Sequence, residues 1–386
     1  MLNFGQIITK FHYKTLSGVY GIIFKIIFAI PLYIASLFYF AAITLKNTLY
    51  KKSILKEKKV NAKVICIGNL TTGGVGKTPV TVEFCKHLSK KYKVSSLSRG
   101  YKGKLKGANI VRDYNKILIE NPALTGDEVK LLTDNSSGYA VTVSADRIKG
   151  ATLAIDTLQT DVIIMDDGFS NRKIAKDLTL LLFDVNKFIG NGKLLPFGPL
   201  REPVKEINRA DGIILIDKEN TPQTKFEKIA QTLIHQYSYK GEIFKSKFEP
   251  DYLYNIKTGE IIDPIKISTA HIFSGIGQPE LFYNYVNQML TMCLMPKKPD
   301  SFDDHYIYTK ENLQKIIDKS PADYLITTEK DAVKIKNIIN KETGDKYMGK
   351  TFLALKLKVN IDVEKILSTL NCKSKILKNI DLDSTL

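Results

Sequence analysis

A glycine-rich segment near residue 75 has the residue types and spacing that bind phosphate. It follows a β-branched run, Val64 to Ile67. Pro79, which comes directly after the segment, is typical of the first position of a helix. Glycines let backbone N–H groups surround phosphate oxygens, a lysine reaches the β- and γ-phosphates, and a Ser or Thr ligates Mg²⁺. The strict pattern places Gly where this chain has Thr71, so a turn that binds no phosphate is the alternative. We predict a P-loop formed by Thr71, Thr72, Gly73, Gly74, Val75, Gly76, Lys77 and Thr78.

Two carboxylates end a later hydrophobic run. Residues 161–168 read DVIIMDDG, which places Asp166 and Asp167 directly after a buried strand. Carboxylates in this position beside a P-loop hold Mg²⁺ directly or through water. Without a P-loop, a solvated Asp-Asp-Gly turn would explain the pattern equally well. We predict that Asp166, Asp167 and Thr78 serve the metal ion.

Three more loops follow predicted strands and are expected at the same edge of the sheet. They comprise residues 98–101, 125–128 and 195–203. The first presents Arg99 and Tyr101, and the third, rich in Pro and Gly, presents Arg201 and Glu202. The second presents Asp127 and Glu128 at a helix start, where acids also simply complement the helix dipole.

One histidine in the second half of the chain lies among acids. His305 occurs in the segment FDDHY. A histidine beside carboxylates can orient a group or accept a proton at neutral pH, although most single histidines are structural.

The elements that must position these residues alternate between strands and helices. From Lys63 onward, short β-branched runs are separated by helix-length patterns, which predicts an α/β fold with a parallel sheet and helices on both faces. Residues 241–265 read as a two-stranded linker with a turn at Thr258-Gly259. The predicted parts are a membrane-associated helix in 1–47, a P-loop domain in 48–240, the linker, and a smaller α/β domain in 266–386.

The amino-terminal region predicts contact with a membrane. Ile26 to Leu45 contains no charge and is long enough to span a bilayer, and lysines follow it. By the positive-inside rule, the rest of the chain lies in the cytoplasm, where these lysines suit anionic headgroups. A buried core helix is the alternative, and a secretory signal fits less well because Lys25 interrupts the apolar run. Pro31 and the aromatic residues suit an interfacial helix as well as a spanning one.

Composition narrows the class of protein. The chain has 386 residues, 44% hydrophobic and 25% charged, which excludes wholesale disorder. The 57 Lys and Arg residues against 40 Asp and Glu give a net charge of +17, which favours anionic partners. Nothing in the sequence resembles a nucleic-acid-binding motif, so we expect no nucleic acid partner. The four cysteines have neither zinc-site nor disulfide-scaffold spacing.

Together the motifs resemble the tetraacyldisaccharide 4′-kinase family of lipid A biosynthesis. The segments are GNLTTGGVGKTPV, SRGYKGK, GDE, DDGF, LLPFGPLREP, FSGIGQPELF, FDDHYIYT and TTEKDAVK. The resemblance implies a two-domain P-loop NTPase fold. It also implies ATP- and Mg²⁺-dependent phosphorylation of the 4′-hydroxyl of a tetraacylated glucosamine disaccharide 1-phosphate, which forms lipid IVA. The enzyme would lie at the cytoplasmic face of the inner membrane, anchored by its amino-terminal helix, and no protein partner is implied.

The resemblance also implies roles for single residues. Asp127 would accept the proton of the sugar hydroxyl, and His305, arriving from the second domain, would hold and tune it. Lys77 would contact the transferring phosphoryl group, and Glu202 would join Thr78, Asp166 and Asp167 at the metal. The candidates for the substrate or the nucleotide are Arg99, Tyr101, Asn171 and Arg201.

The chain departs from the family pattern at two places. Ser170-Asn171 replaces the usual Gln-His, and Tyr306 replaces a histidine after His305. A membrane-associated P-loop ATPase or GTPase that couples hydrolysis to delivery or assembly is the alternative function. Its guanine-binding candidate, residues 328–331, lies in the second predicted domain, which argues against it.

Overall fold

The computed structural model describes residues 18–290, 299–304, 306–340 and 347–374. Within them the strands are β1 (Lys63–Gly68), β2 (Val94–Ser98), β3 (Ala108–Arg112), β4 (Ala140–Ser144), β5 (Val162–Asp166), β6 (Leu178–Asp184), β7 (Gly212–Asp217), β8 (Glu242–Asn255), β9 (Ile261–Ile262), β10 (Ala270–Ser274), β11 (Asp300–Ser301), β12 (Tyr324–Thr328) and β13 (Thr351–Asn360). The α-helices are α1 (Gly18–Lys51), α2 (Lys77–Leu88), α3 (Pro122–Thr125), α4 (Asp127–Asp134), α5 (Arg147–Leu158), α6 (Gln223–Gln231), α7 (Pro279–Met289), α8 (Lys310–Lys319), α9 (Glu329–Ile339) and α10 (Val363–Ser374). A 3-10 helix covers Val204–Arg209.

The described strands form one sheet. Its order is β11-β10-β12-β13-β8-β7-β6-β1-β5-β2-β4-β3, with β9 added to β8. Most neighbours are parallel, but β3 with β4, β8 with β13 and β8 with β9 are antiparallel. Strand β1 lies between β5 and β6, and Ile67 of β1 pairs with Asp166 of β5. The segments that follow β1 and β5 therefore leave the sheet side by side.

Alternation along β1 explains why helices cover both faces. Ile65 and Ile67 pack in one hydrophobic cluster with Phe84 of α2, whereas Val64 and Cys66 pack in a second cluster with residues of α5 and α6. Successive strand residues point to opposite faces, so an uninterrupted apolar strand requires cover on both. The predicted α/β fold with a parallel sheet is confirmed. The sequence reading missed β3, because this antiparallel edge strand is short and mostly half-exposed.

Strand β8 connects the two halves of the sheet. Its first half pairs in parallel with β7 and its second half pairs antiparallel with β13, so the sheet continues through residues 241–265. The predicted hairpin is present, with Leu253 opposite Ile262 and Gly259 in the left-handed region at φ 77°. The boundaries of the predicted domains stay a prediction.

Helix α1 contacts the body of the protein along one side. The Ser36 hydroxyl donates to the carbonyl of Leu194 at 3.0 Å, the Tyr39 hydroxyl to the carbonyl of Arg201 at 2.8 Å, and the Asn47 amide to Glu202 Oε2 at 2.8 Å. Residues 29–51 are long and apolar enough to cross a membrane by length and composition, and few of them are buried. Exposed apolar side chains cover the other side of α1: Ile30, Ile34, Leu37, Phe38 and Leu45.

Candidate active site

The glycine-rich loop after β1 adopts a conformation that requires glycine. Gly73 and Gly76 both have φ of 105°, in the left-handed region. A Cβ atom on Gly76 would also lie 2.5 Å from the ring of Phe248. Helix α2 begins at Lys77, two residues before Pro79, which lacks an N–H and is tolerated in a first turn. The positive end of the α2 dipole thus borders the loop, as an anion-binding site requires.

Contacts from two sides hold this loop. On one side, the Thr72 N–H donates to the carbonyl of Pro199 at 2.7 Å, and Thr71 pairs with Leu200. On the other, Lys218 Nζ donates to the carbonyl of Gly74 at 2.6 Å and lies 3.1 Å from Asp184 Oδ2. Sequence reasoning missed Lys218 and Asp184. Both lie at the carboxyl ends of hydrophobic strands on the predicted edge, and that position was the available signal.

Asp166 lies buried beneath the loop, with 2% of its surface exposed. Its Oδ2 accepts a hydrogen bond from the Thr78 hydroxyl at 3.0 Å, and its Oδ1 accepts one from Thr81 at 3.2 Å. Burial, followed by the nearby negative charge of Glu128, raises the pKa of Asp166 to about 7. The surroundings of Asp166 therefore do not supply enough positive charge to stabilise its ionised form.

Asp167 has the opposite electrostatic environment. Arg201 donates to both of its oxygens, each at 3.0 Å, and Lys77 Nζ lies 3.8 Å away. Burial alone would raise the pKa of Asp167, but Lys77 and Arg201 hold it below its usual value. Asn69 joins the cluster by accepting from Lys77 at 3.2 Å and from Arg201. Asn69 was also missed by sequence reasoning, although it lies two residues before the loop.

The residues around Asp166 fit a magnesium ion. Mg²⁺ prefers oxygen ligands and usually takes one or two from the protein while keeping phosphate and water oxygens. Thr78 and Asp166 supply such oxygens, and a divalent cation would relieve the repulsion between Asp166 and Glu128. In the described part of the chain, no group of three or more His, Cys, Asp or Glu forms a ready metal cage.

Glu202 has contacts of a different kind from those expected of a metal ligand. It is fully buried, and its oxygens face Asn47 Nδ2 at 2.8 Å, Lys46 Nζ at 3.4 Å and Arg209 at 3.7 Å. Lys46 and Asn47 thereby join helix α1 to the loop at residues 194–203. The metal-binding role of Glu202 stays a prediction, and these contacts do not favour it.

The remaining substrate candidates are dispersed. Arg99 is exposed at the end of β2, and Tyr101 is 57% exposed. Asn171 uses its side-chain oxygen to accept from the Lys173 N–H at 3.0 Å, which closes a local turn. Of the four substrate candidates, Arg201 contacts a predicted metal residue, because its guanidinium donates to both oxygens of Asp167.

Asp127 is the first residue of α4 and follows Gly126, whose φ of 91° sets the turn. Its Oδ2 lies 3.7 Å from Lys334 Nζ of α9. His305 lies outside the described residues. Beside it, Asp304 forms an ion pair with Lys330 at 2.9 Å, and the Tyr306 N–H donates to the carbonyl of Asp303 at 3.0 Å.

We expect Asp166→Asn to stabilise the metal-free protein at pH 8. An Asp whose pKa rises from 3.8 to about 7 on folding destabilises the fold increasingly above pH 3.8, and the full penalty is present above pH 7. Asn removes this charge. In EDTA, the melting temperature should rise by about 2–4 °C at pH 8 and by less at pH 5.

Asp184→Asn is the matched control for this substitution. Asp184 is also buried, but it is paired with Lys218, so its loss should lower the melting temperature. Equal effects of Asp166→Asn at both pH values, or destabilisation at pH 8, would contradict the electrostatic account.

Comparison with known proteins places most of the chain in one family. The family model LpxK, tetraacyldisaccharide-1-P 4′-kinase, matches residues 28–374. The tetraacyldisaccharide 4′-kinase of Aquifex aeolicus is 34% identical over 336 residues, which cover 87% of this chain and 95% of the relative. That of Halothermothrix orenii is 30% identical over 347 residues, which cover 84% and 88%.

A solved structure agrees with these sequence matches. The crystal structure of LpxK from Aquifex aeolicus in complex with ATP superposes with a TM-score of 0.66 at 32% identity, covering 88% of this chain and 96% of that one. With its mainly parallel sheet, glycine-rich loop and nearly full-length matches, the chain belongs to the tetraacyldisaccharide 4′-kinase family.

Proposed function

We propose that this chain transfers the γ-phosphoryl group of ATP to the 4′-hydroxyl of a tetraacylated disaccharide 1-phosphate and so forms lipid IVA. The residues that surround Asp166 support this proposal most strongly. Thr78 of the loop bonds to this carboxylate, and Glu128, whose charge acts on it, directly follows Asp127. A base candidate therefore adjoins the site suited to ATP and Mg²⁺. Membership of the kinase family supports the identity of the lipid substrate.

In the proposed reaction, Asp127 accepts the proton of the 4′-hydroxyl as the sugar oxygen bonds to the γ-phosphorus. The bond between that phosphorus and the β,γ-bridging oxygen breaks, and ADP leaves. Lys77 faces the negative charge of the phosphates, while Arg201 and Asn69 hold Asp167 and Lys77 in place. Mg²⁺, when bound beside Thr78 and Asp166, neutralises phosphate charge. We propose that His305 assists Asp127.

We further propose that α1 lies in the cytoplasmic interface of an anionic membrane. Its docked side contacts the loop at residues 194–203, so lipid does not surround the helix there. The opposite side carries exposed apolar residues, and exposed lysines follow the helix. A helix with one side docked on the protein and the other side apolar binds at headgroup depth, where the reacting sugar of a lipid substrate lies.

Replacing Leu37 and Phe38 together by Gln should weaken binding to vesicles that contain phosphatidylglycerol. Leu37 is 50% exposed and Phe38 is 75% exposed on the undocked side of α1. Losing about 1–2 kcal/mol of apolar burial from each should lower affinity at least tenfold. Vesicle sedimentation measures this change.

Ile265→Gln is the control for the vesicle experiment. Ile265 is 88% exposed and belongs to the short turn at Pro264–Lys266 rather than to α1. Its replacement should leave vesicle binding unchanged. Unchanged binding of the Leu37/Phe38 variant would remove α1 as the membrane-binding surface.

The proposed function is tested by incubating the protein with γ-labelled ATP, Mg²⁺ and a tetraacylated disaccharide 1-phosphate in detergent micelles. The expected result is a labelled lipid that forms only when Mg²⁺ is present. If the folded protein hydrolyses ATP but labels no lipid, the kinase assignment fails in favour of a membrane-associated ATPase.

A further inference from the structure

The second half of the chain contacts both ends of helix α4. At the amino-terminal end, Lys334 Nζ of α9 lies 3.7 Å from Asp127 Oδ2. At the carboxyl-terminal end, Lys356 Nζ of β13 donates to the side-chain oxygen of Asn135 and bonds to Glu329 Oε1 at 2.7 Å. Two lysines distant in sequence thus hold the helix that begins with Asp127.

Lys334 is itself held firmly. Its Nζ lies 2.9 Å from Asp331 Oδ1, and its side chain is 10% exposed. Asp331 is fully buried, and its Oδ2 accepts from the Gly275 N–H at 2.8 Å and from the Thr328 hydroxyl at 2.9 Å. The ring of Tyr308 lies 5.9 Å from the ammonium group. The position of this ammonium is therefore fixed before any ligand binds.

We propose that Lys334 is a positioning residue for Asp127, an inference that rests on the proposed role of Asp127 as the base. An ammonium that is fixed by Asp331 and contacts Asp127 Oδ2 restricts rotation of the Asp127 side chain. A displacement of about 1 Å at a reacting group lowers a rate by as much as about 100-fold. The proposal gives a role to the TTEKDAVK segment at residues 327–334, which the P-loop chemistry leaves without one.

The test compares Lys334→Met with the matched variant Lys356→Met. Each removes one ammonium between α4 and the second half of the chain, but the Lys334 ammonium contacts Asp127 whereas the Lys356 ammonium contacts Asn135. Lys334→Met should lower kcat by about 10- to 100-fold, with ATP affinity within threefold of wild type. Lys356→Met should change kcat less than threefold, and Lys334→Arg should retain most of kcat because a guanidinium can still contact both acids.

A second arm measures the coupling between Lys334 and Asp127. In an Asp127→Asn background, Lys334→Met should lower kcat less than threefold further, because the carboxylate that it positions is already gone. A full additional loss would indicate a separate structural role. If Lys334→Met alone does not fold, the double variant Lys334→Met with Asp331→Asn, which removes both buried charges, takes its place in these measurements.

Hydrogen exchange gives a readout that does not depend on lipid transfer. Lys334→Met should raise amide exchange at residues 127–130, whereas Lys356→Met should raise it near residue 135. Absence of lipid labelling by the wild type would overturn the proposed function, while the exchange experiment would still decide whether Lys334 positions Asp127. Equal losses of kcat in the two lysine variants, or unchanged exchange at residues 127–130, would overturn this inference.

Discussion

Asp127→Asn should lower kcat for phosphoryl transfer to the lipid by about 10²- to 10⁴-fold. The substitution keeps the size and shape of the side chain but removes the carboxylate that we propose accepts the proton of the sugar hydroxyl. Asp127 lies at the start of α4 rather than in the glycine-rich loop, so the affinity for ATP should remain within about twofold of wild type. Single-turnover transfer of labelled phosphate, together with direct titration of ATP, separates the two quantities.

Asp134→Asn is the control for this measurement. Asp134 is the last residue of the same helix and forms an ion pair with Lys130, one turn away. Its replacement therefore tests whether the loss of any acid on α4 lowers kcat. It should leave kcat nearly unchanged. If Asp127→Asn retains more than a tenth of wild-type kcat, Asp127 is not the base and the roles of both Lys334 and His305 need another explanation.

Local sequence predicted the parts of the site that depend on neighbouring residues. The run of residues 64–67, the glycines at 73 and 76 and the helix after them adopt the expected conformations, because strand propensity and the left-handed backbone of glycine act over a few residues. Asp166 could be placed near the loop for a similar reason, since parallel strands end at one edge of the sheet.

Contacts between distant segments could not be predicted from the sequence. Glu202 meets Asn47, and Lys334 meets Asp127, across more than 150 residues, and nothing local to either residue indicates its partner. Helix α1 did carry a usable signal. Ser36, Tyr39 and Asn47 recur at helical spacing within an otherwise apolar stretch and so mark the side that docks.

The loop at residues 194–203 connects helix α1 to the phosphate site. The Tyr39 hydroxyl bonds to the backbone of Arg201, whose side chain holds Asp167, and the neighbouring Pro199 carbonyl accepts from Thr72 of the glycine-rich loop. Helix α1 therefore packs against the same loop that shapes the phosphate site. This arrangement suits an enzyme whose phosphate donor is soluble and whose proposed acceptor lies in a membrane.

Lys77→Met should reduce transfer by about 10³-fold or more, a loss typical of removing a charge that stabilises the transferring phosphoryl group. The Lys77 ammonium lies between Asn69 Oδ1 and Asp167 Oδ2 at the amino-terminal end of α2. Methionine preserves the length of the side chain but leaves Asp167 with Arg201 as its remaining cation among these contacts. Unlike Asp127→Asn, this substitution should therefore also weaken ATP binding.

Lys86→Met tests whether removing a positive charge from another position of α2 has the same effect as Lys77→Met. Lys86 pairs with Glu83 on the surface of the same helix, so kcat and ATP affinity should both remain near wild type. The contrast between Lys77→Met and Asp127→Asn then separates two functions. Loss of both affinity and rate marks the group that binds phosphate, whereas loss of rate alone marks the group that accepts the proton. If both variants weaken ATP binding equally, Asp127 belongs to the nucleotide site and the base must be sought elsewhere.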